Sequence, residues 1–146
     1  ISLGLVGSEM CIRDRLAGDR AALRALHFVC ENERVKKEVD ALRKDNFPKF
    51  LANVKESGDS SFKYLQNVYT CHDVQHQNVS IALALSDVIF GEKGVCRVHG
   101  GGFAGTIQAF VPNYLVPDYQ KEMDTIFGKG SCEVLKIRKY GGIKVL

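Results

Sequence analysis

Apolar residues recur at helical spacing through the first half of the chain and alternate with polar ones in much of the second. From Leu16 to about Lys44, Leu23, Leu26, Val35, Val39 and Leu42 fall mostly three and four residues apart with charges between them. That pattern predicts an amphipathic helix with these side chains inward. "DNFPKFLANV" restarts a helix: Asn46 or Asp45 can cap it, Pro48 suits a first turn, and Phe47, Phe50, Leu51 and Val54 form one stripe. Ser57 and Gly58 are expected to end it, and a third helix is expected from Ser60 or Ser61 with Phe62, Leu65, Val68 and Tyr69 inward. "TCHDVQHQN" is polar and reads as a loop. A fourth helix follows, with Val79, Ala82, Leu83, Ser86, Ile89 and Phe90 on one face and Gly91 closing it.

After Gly94 the period becomes two. "VCRVH" and "TIQAFV" read as strands flanking a glycine cluster, and "PDYQKEMDTIF" returns to helix between Pro117 and Gly128. "SCEVLKIR" and "IKVL" are expected to be further strands. Helices first, then strand–loop–strand–helix–strand, give an α+β domain with an antiparallel sheet covered by helices.

Composition narrows the class without adding chemistry. The 146 residues are 45% hydrophobic and 25% charged, an ordinary globular balance long enough for one domain with a real core. Twenty basic residues against 17 acidic leave +3, too little and too scattered for a nucleic-acid partner. No apolar run reaches the roughly 18 residues a membrane span needs. Cys11, Cys30, Cys71, Cys96 and Cys132 are odd in number and widely spaced, which points to reduced thiols in a cytoplasm rather than a disulfide framework.

The opening segment stands apart. "LVGSEMCIRD", Leu5 to Asp14, reads as the translation of a transposase end sequence used in DNA library preparation, so residues 1–15 are expected to be non-native. A signal peptide would need a basic start, a longer apolar stretch and a small-residue cleavage site, and has none here.

The glycines at 100, 101, 102 and 105 carry the candidate chemistry. An HGGG oxyanion hole requires a nucleophile elbow, and no G-x-S-x-G occurs. G-x-G-x-x-G needs a helix directly after it, whereas β-branched and aromatic "TIQAFV" follows. A protein-kinase glycine loop would come with V-A-I-K, H-R-D and D-F-G, all missing. What remains is a strand–loop–strand, either an anion-binding concavity of backbone N–H groups or a hairpin using glycine for its turn. Three consecutive glycines plus Gly105 exceed what a turn needs and favour close approach by a ligand or by other backbone.

"CRVHGGGFAGTIQAFVP" resembles the third conserved motif of the GHMP kinases, named for galactose, homoserine, mevalonate and phosphomevalonate, and within them the galactokinases. "RALHFVCENERV", "FLANVKESGDSSFKYLQNVYTC" and "GSCEVLKIRKYGG" agree in order and spacing, so the resemblance covers Leu16 to Leu146. It implies that residues 16–146 form a domain of the GHMP C-terminal type, part of a cytoplasmic enzyme transferring the γ-phosphate of ATP, with Mg2+, to galactose to give galactose 1-phosphate. In that family the galactose signature, the ATP-phosphate loop and the aspartate base lie in an N-terminal part. Neither P-x-G-x-G-S-S-A nor G-E-H-x-D-Y occurs in these residues. No catalytic residue is therefore assigned, and the resemblance implies a chain that alone is inactive and binds no cofactor. Gly100, Gly101, Gly102, Phe103 and Gly105 would form a substrate- and phosphate-side wall of the cleft. His99 and Ala104 depart from the commoner Thr-Gly-Gly-Gly-Phe-Gly-Gly form. Another GHMP sugar kinase, or a non-catalytic binding or regulatory module, are the alternatives.

Other residues read more plainly. Tyr69 would border the sugar side under the resemblance, although a core-edge tyrosine is the simpler reading. Cys71, His72 and His76 lack the further ligands of a zinc site, so no metal is expected. His27 reads as a structural histidine, and "ENERVKKEVDALRKD" as a solvated face with local ion pairs. Arg97 and Lys136 sit on expected strands and could point to the cleft or to water.

Overall fold

A computed structural model describes residues 18–102 and 105–137 of the chain. The expectation for residues 1–15, and the closing strand "IKVL", lie outside the described residues. The fold is α+β, and the chain divides at Pro112/Asn113 into two compact units.

The first unit begins with α1 (Asp19–Arg43) and α2 (Phe47–Ser60), joined by a turn in which Asp45 takes a positive φ of 52°. Asn46 caps α2 as expected: its Oδ1 accepts the Lys49 N–H at 3.1 Å, and Pro48 occupies the first turn. Such a cap contributes about 1 kcal/mol.

α2 does not end at Ser57 and Gly58. It runs to Ser60 and passes into a π-helical turn, Ser61–Leu65, in place of a separate third helix. Gly58 serves packing rather than termination. A Cβ on it would sit 3.1 Å from both the Arg97 Cβ and the Cys96 carbonyl, so a bare backbone lets the neighbouring strand approach the helix. The π turn closes with the Gln66 N–H donating to the Ser61 carbonyl, and Gln66 then adopts φ 54°. Val68 is buried after this turn, while Phe62, expected inward, is exposed.

α1 also differs from its expected orientation. Leu23 and Leu26 are half-buried, but Val35, Val39 and Leu42 are exposed. The face turned to α2 carries His27, Glu31, Arg34, Glu38 and Ala41 instead. His27, Glu31 and Arg34 find partners on α2 and the sheet, as described below. Solvated pairs of the expected kind do form elsewhere on the helix, Lys36 with Glu33 and Lys44 with Asp40.

α3 (Asn78–Phe90) buries Ala82, Ser86 and Phe90 on the expected face. The buried Ser86 hydroxyl donates to the Ala82 carbonyl at 2.7 Å. Gly91, at φ 54°, stops the helix, and a 3-10 turn (Gly91–Lys93) leads into β1 (Val95–Val98). β1 pairs antiparallel with β2 (Ile107–Phe110), Val98 opposite Ile107 and Val95 opposite Phe110. The core gathers Val54, Val68, Phe90 and Val98, with Phe50 edge-on to Phe110 at 5.6 Å.

The second unit is a 3-10 turn (Asn113–Leu115) and α4 (Val116–Phe127), with Pro117 in its first turn and Gly128 at φ 102° stopping it as expected. The segment after α4 folds back on it: the Cys132 N–H and the Ser131 hydroxyl both donate to Asp124 at 3.2 Å. Residues 131–137 form no strand, contrary to the reading of "SCEVLKIR". A strand exists through its ladder partner, and the sheet among the described residues has only β1 and β2. Val134, Leu135 and Ile137 are accordingly exposed.

The outer face of α1 carries Phe28, Val35, Val39 and Leu42 at spacings of seven, four and three, all exposed. A continuous apolar stripe of this kind seeks cover. The purified chain is expected to self-associate, with light scattering giving a mass above one chain and Val35→Glu/Leu42→Glu restoring the 16.2 kDa monomer.

Candidate functional site

The glycine loop is built on the β1–β2 hairpin. The His99 N–H donates to the Thr106 carbonyl at 3.0 Å, extending the pairing one step past Val98 and Ile107. Beyond that step the chain turns through Gly100 at φ 60°, Gly102 at 73° and Gly105 at 81°. Side-chain-bearing residues rarely adopt these values, so backbone course alone calls for glycine at three of the four positions. Phe103, and Ala104 beside it, lie outside the described residues.

The glycines differ in surroundings. Among the described residues, a Cβ on Gly100, Gly101 or Gly105 would meet nothing within 4 Å. A Cβ on Gly102 would lie 2.2 Å from the Asn67 carbonyl oxygen and 2.6 Å from its Nδ2. The loop thus rests at Gly102 on the corner that follows the π turn. Close approach at this glycine is to the Asn67 corner, and among the described residues the other three glycines have no such contact.

Asn67 is the seat of the loop. It is 2% exposed, and among the described residues neither Nδ2 nor Oδ1 has a hydrogen-bond partner. Tyr69, two residues on, is half-buried with its ring 5.4 Å from Phe62. It lines a small cavity of about 160 Å³ with Val68, Thr70, Gln77 and Val79. The sequence-level candidates therefore fall in two places, the hairpin loop and the 66–70 corner, and Asn67 joins them.

Behind the loop lies a polar network that sequence reasoning split into unrelated pieces. Ser57, fully buried on α2, donates to the Glu31 carboxylate and accepts from the Arg97 guanidinium. Arg97 also reaches Glu31 Oε1 at 3.5 Å, Arg34 pairs with Glu31, and Arg34 lies 3.8 Å from Glu56. Arg97 therefore points from β1 toward the helices. Burial works against the charge on Glu31, but the Ser57 hydroxyl and the two arginines outweigh it and hold the carboxyl below its ordinary range. Burial and the nearby Glu31 charge push Glu38 up. His27 Nδ1 lies 2.9 Å from the Ser60 hydroxyl, the satisfied structural histidine expected, and burial lowers its pKa. Serines at 57, 60 and 61 on one helix face are the sequence signal that would have found this network; Asn67 has none.

The thiols separate by environment. Burial, with the Asp87 carboxylate alongside, pushes the Cys96 thiol up to about 12, while Cys30 and Cys71 are exposed. Brief alkylation at neutral pH is expected to label Cys30 and Cys71 and leave Cys96 intact, read by peptide mass spectrometry. In the 71–77 loop, His76 Nδ1 pairs with Asp73 at 2.7 Å on the surface. Among the described residues no three His, Cys, Asp or Glu side chains converge on a point. No helix among them is long and apolar enough to cross a membrane.

No family model matches the chain, and no solved structure matches it. Curated proteins do. The chain is 32% identical over 98 residues to a galactokinase of Glaesserella parasuis, 67% of this chain and 24% of that protein. It is 32% identical over 101 residues to a galactokinase of Haemophilus influenzae and 31% over 101 residues to one of Mannheimia succiniciproducens, in each case 69% of this chain and 24% of the relative. The chain is thus a relative of the galactokinases, matching a stretch about a quarter of their length.

Proposed function

We propose that residues 16–146 are the C-terminal domain, of the GHMP type, of a galactokinase, and that the glycine loop forms one wall of its active-site cleft. The similarity to galactokinases over some 100 residues carries this reading. The whole enzyme transfers the γ-phosphate of ATP to galactose, giving galactose 1-phosphate, in the cytoplasm. The positions of Gly100, Gly101 and Gly105 fit such a wall, since no side chain of the described residues lies within 4 Å of a Cβ built there. Phosphoryl transfer depends on positioning and on neutralising charge, so a backbone held in fixed geometry is a useful contribution. ATP and Mg2+ supply the transferable phosphoryl group and the counter-charge. On this reading the ligands of the ion and the catalytic base belong to the N-terminal part, where the resemblance to galactokinases puts them.

The purified chain is expected to show no ATP-dependent galactose phosphorylation. Co-expression with a galactokinase N-terminal part that ends where the matched stretch begins is expected to restore it, assayed as galactose 1-phosphate formed. Turnover by the chain alone, or by the N-terminal part alone, would overturn the division of labour proposed.

A further inference from the structure

The outer face of α1 carries more order than an apolar stripe alone. Phe28, Val35 and Leu42 stand seven residues apart, and Ala25, Asn32 and Val39 recur at the same interval between them. All six are exposed. This is the heptad pattern of a coiled-coil seam, with 28, 35 and 42 at d and 25, 32 and 39 at a. Asn32 is the one polar member. The flanks of the seam differ in charge: Lys36 and Arg43 stand at e on one side, Glu31 and Glu38 at g on the other. Glu31 is taken up by Ser57, Arg34 and Arg97. Glu38 and Arg43 form no salt bridge among the described residues.

We propose that this face pairs with a second copy of the chain as a parallel, in-register, two-stranded coiled coil. Charge decides the orientation. In a parallel pair, g of one helix faces e of the next heptad on the other, so Glu38 of each copy meets Arg43 of its mate. In an antiparallel pair e faces e and g faces g, which sets Lys36 and Arg43 against their own kind. Asn32 agrees with the parallel arrangement. There it meets Asn32 of the second copy, and the two carboxamides bond to each other. An antiparallel seam puts a opposite d and would leave that carboxamide among apolar side chains. A single asparagine at a also selects two strands over more. Two heptads and part of a third would not hold free peptides together. Here α1 is already held against α2 through His27, Glu31 and Arg34, so pairing does not have to order the helix. The proposal goes beyond the galactokinase reading and does not rest on it.

Sedimentation equilibrium of the full chain is expected to give a mass of twice 16.2 kDa. Orientation is read from disulfides. Ala25→Cys and Leu42→Cys chains, each also carrying Cys30→Ser and Cys71→Ser, are mixed in glutathione buffer and analysed by peptide mass spectrometry. Disulfides joining 25 to 25 and 42 to 42 are expected, and none joining 25 to 42. Arg43→Glu is expected to weaken the dimer about tenfold at low salt and much less at high salt, while Arg43→Lys leaves it near its original strength. A single-chain mass, or a mass of three or more chains, would overturn the proposal. So would disulfides joining 25 to 42, or a dimer strengthened by Arg43→Glu, since both mark an antiparallel seam. A one-to-one complex with the co-expressed galactokinase N-terminal part in which α1 no longer pairs would show that the rest of the enzyme covers the stripe. That result would overturn the seam and uphold the galactokinase reading.

Discussion

Gly102→Ala is expected to unseat the glycine loop and cost the first unit about 3 kcal/mol of stability. Two penalties add. Alanine at φ 73° carries the strain of a left-handed conformation, about 1 kcal/mol. The larger one is steric: the new Cβ would lie 2.2 Å from the Asn67 carbonyl oxygen, far inside van der Waals contact. That atom is backbone, fixed by the π turn before it and the buried Val68 after it, so it cannot swing away as a side-chain end would. The loop must lift or the corner must shift. Gly100→Ala and Gly105→Ala are the controls, because a Cβ there meets nothing within 4 Å and only the φ strain applies. Urea unfolding is expected to rank Gly102→Ala well below the other two, which lie within about 1 kcal/mol of the unchanged chain. Equal costs at all three positions would mean that Gly102 does not carry the loop's contact with Asn67.

The contrast among these glycines shows where sequence reading reaches and where it stops. Periodicity places a segment on a helix or strand whenever one face is apolar, and α3, β1, β2 and α4 emerge close to their observed bounds. The same logic misorients α1, because it turns apolar Val35, Val39 and Leu42 inward and cannot know that Ser57 and Arg97 receive Glu31 instead. Gly58 looks like a stop signal in one dimension, whereas in three it is the point where β1 nears α2. "SCEVLKIR" has strand composition, but a strand needs a neighbour, and composition does not name one. The glycine cluster is legible as a loop of unusual backbone. Its seat is not, since Asn67 meets Gly102 from 35 positions away along the chain. Asn67 carries no periodic or motif signal.

Arg97→Met is expected to lower stability by about 2 kcal/mol at neutral pH, with the loss shrinking as pH falls. Methionine keeps the aliphatic stem but removes the guanidinium that bonds Ser57 and faces Glu31. Arg34 stays, so Glu31 is not stripped of all counter-charge, and the cost stays below that of an isolated buried carboxylate. The pH dependence follows from three groups facing Arg97. Glu31 is held below its ordinary pKa, so its contribution is present above the unfolded value and lost as pH falls through the folded one. Without Arg97 that contribution is smaller at neutral pH, and it vanishes in both proteins once Glu31 is protonated. Glu38, already raised by burial, loses a nearby cation and is raised further; this costs stability at neutral pH and is relieved on protonation. His27 is lowered by burial, with Arg97 contributing, so the unchanged chain loses stability as pH drops below the ordinary histidine range. Arg97→Met lessens that loss. All three act in one direction, because removing a cation favours protons on the folded state. Urea midpoints at pH 7 and pH 4 are expected to show a gap at the acid end less than half the neutral one. Arg97→Lys, which keeps the charge without the planar fork, is expected to retain most of the unchanged chain's pH profile at a smaller cost. An equal gap at both pH values would mean that Arg97 packs against the helices without holding the charges of Glu31, Glu38 and His27 in place.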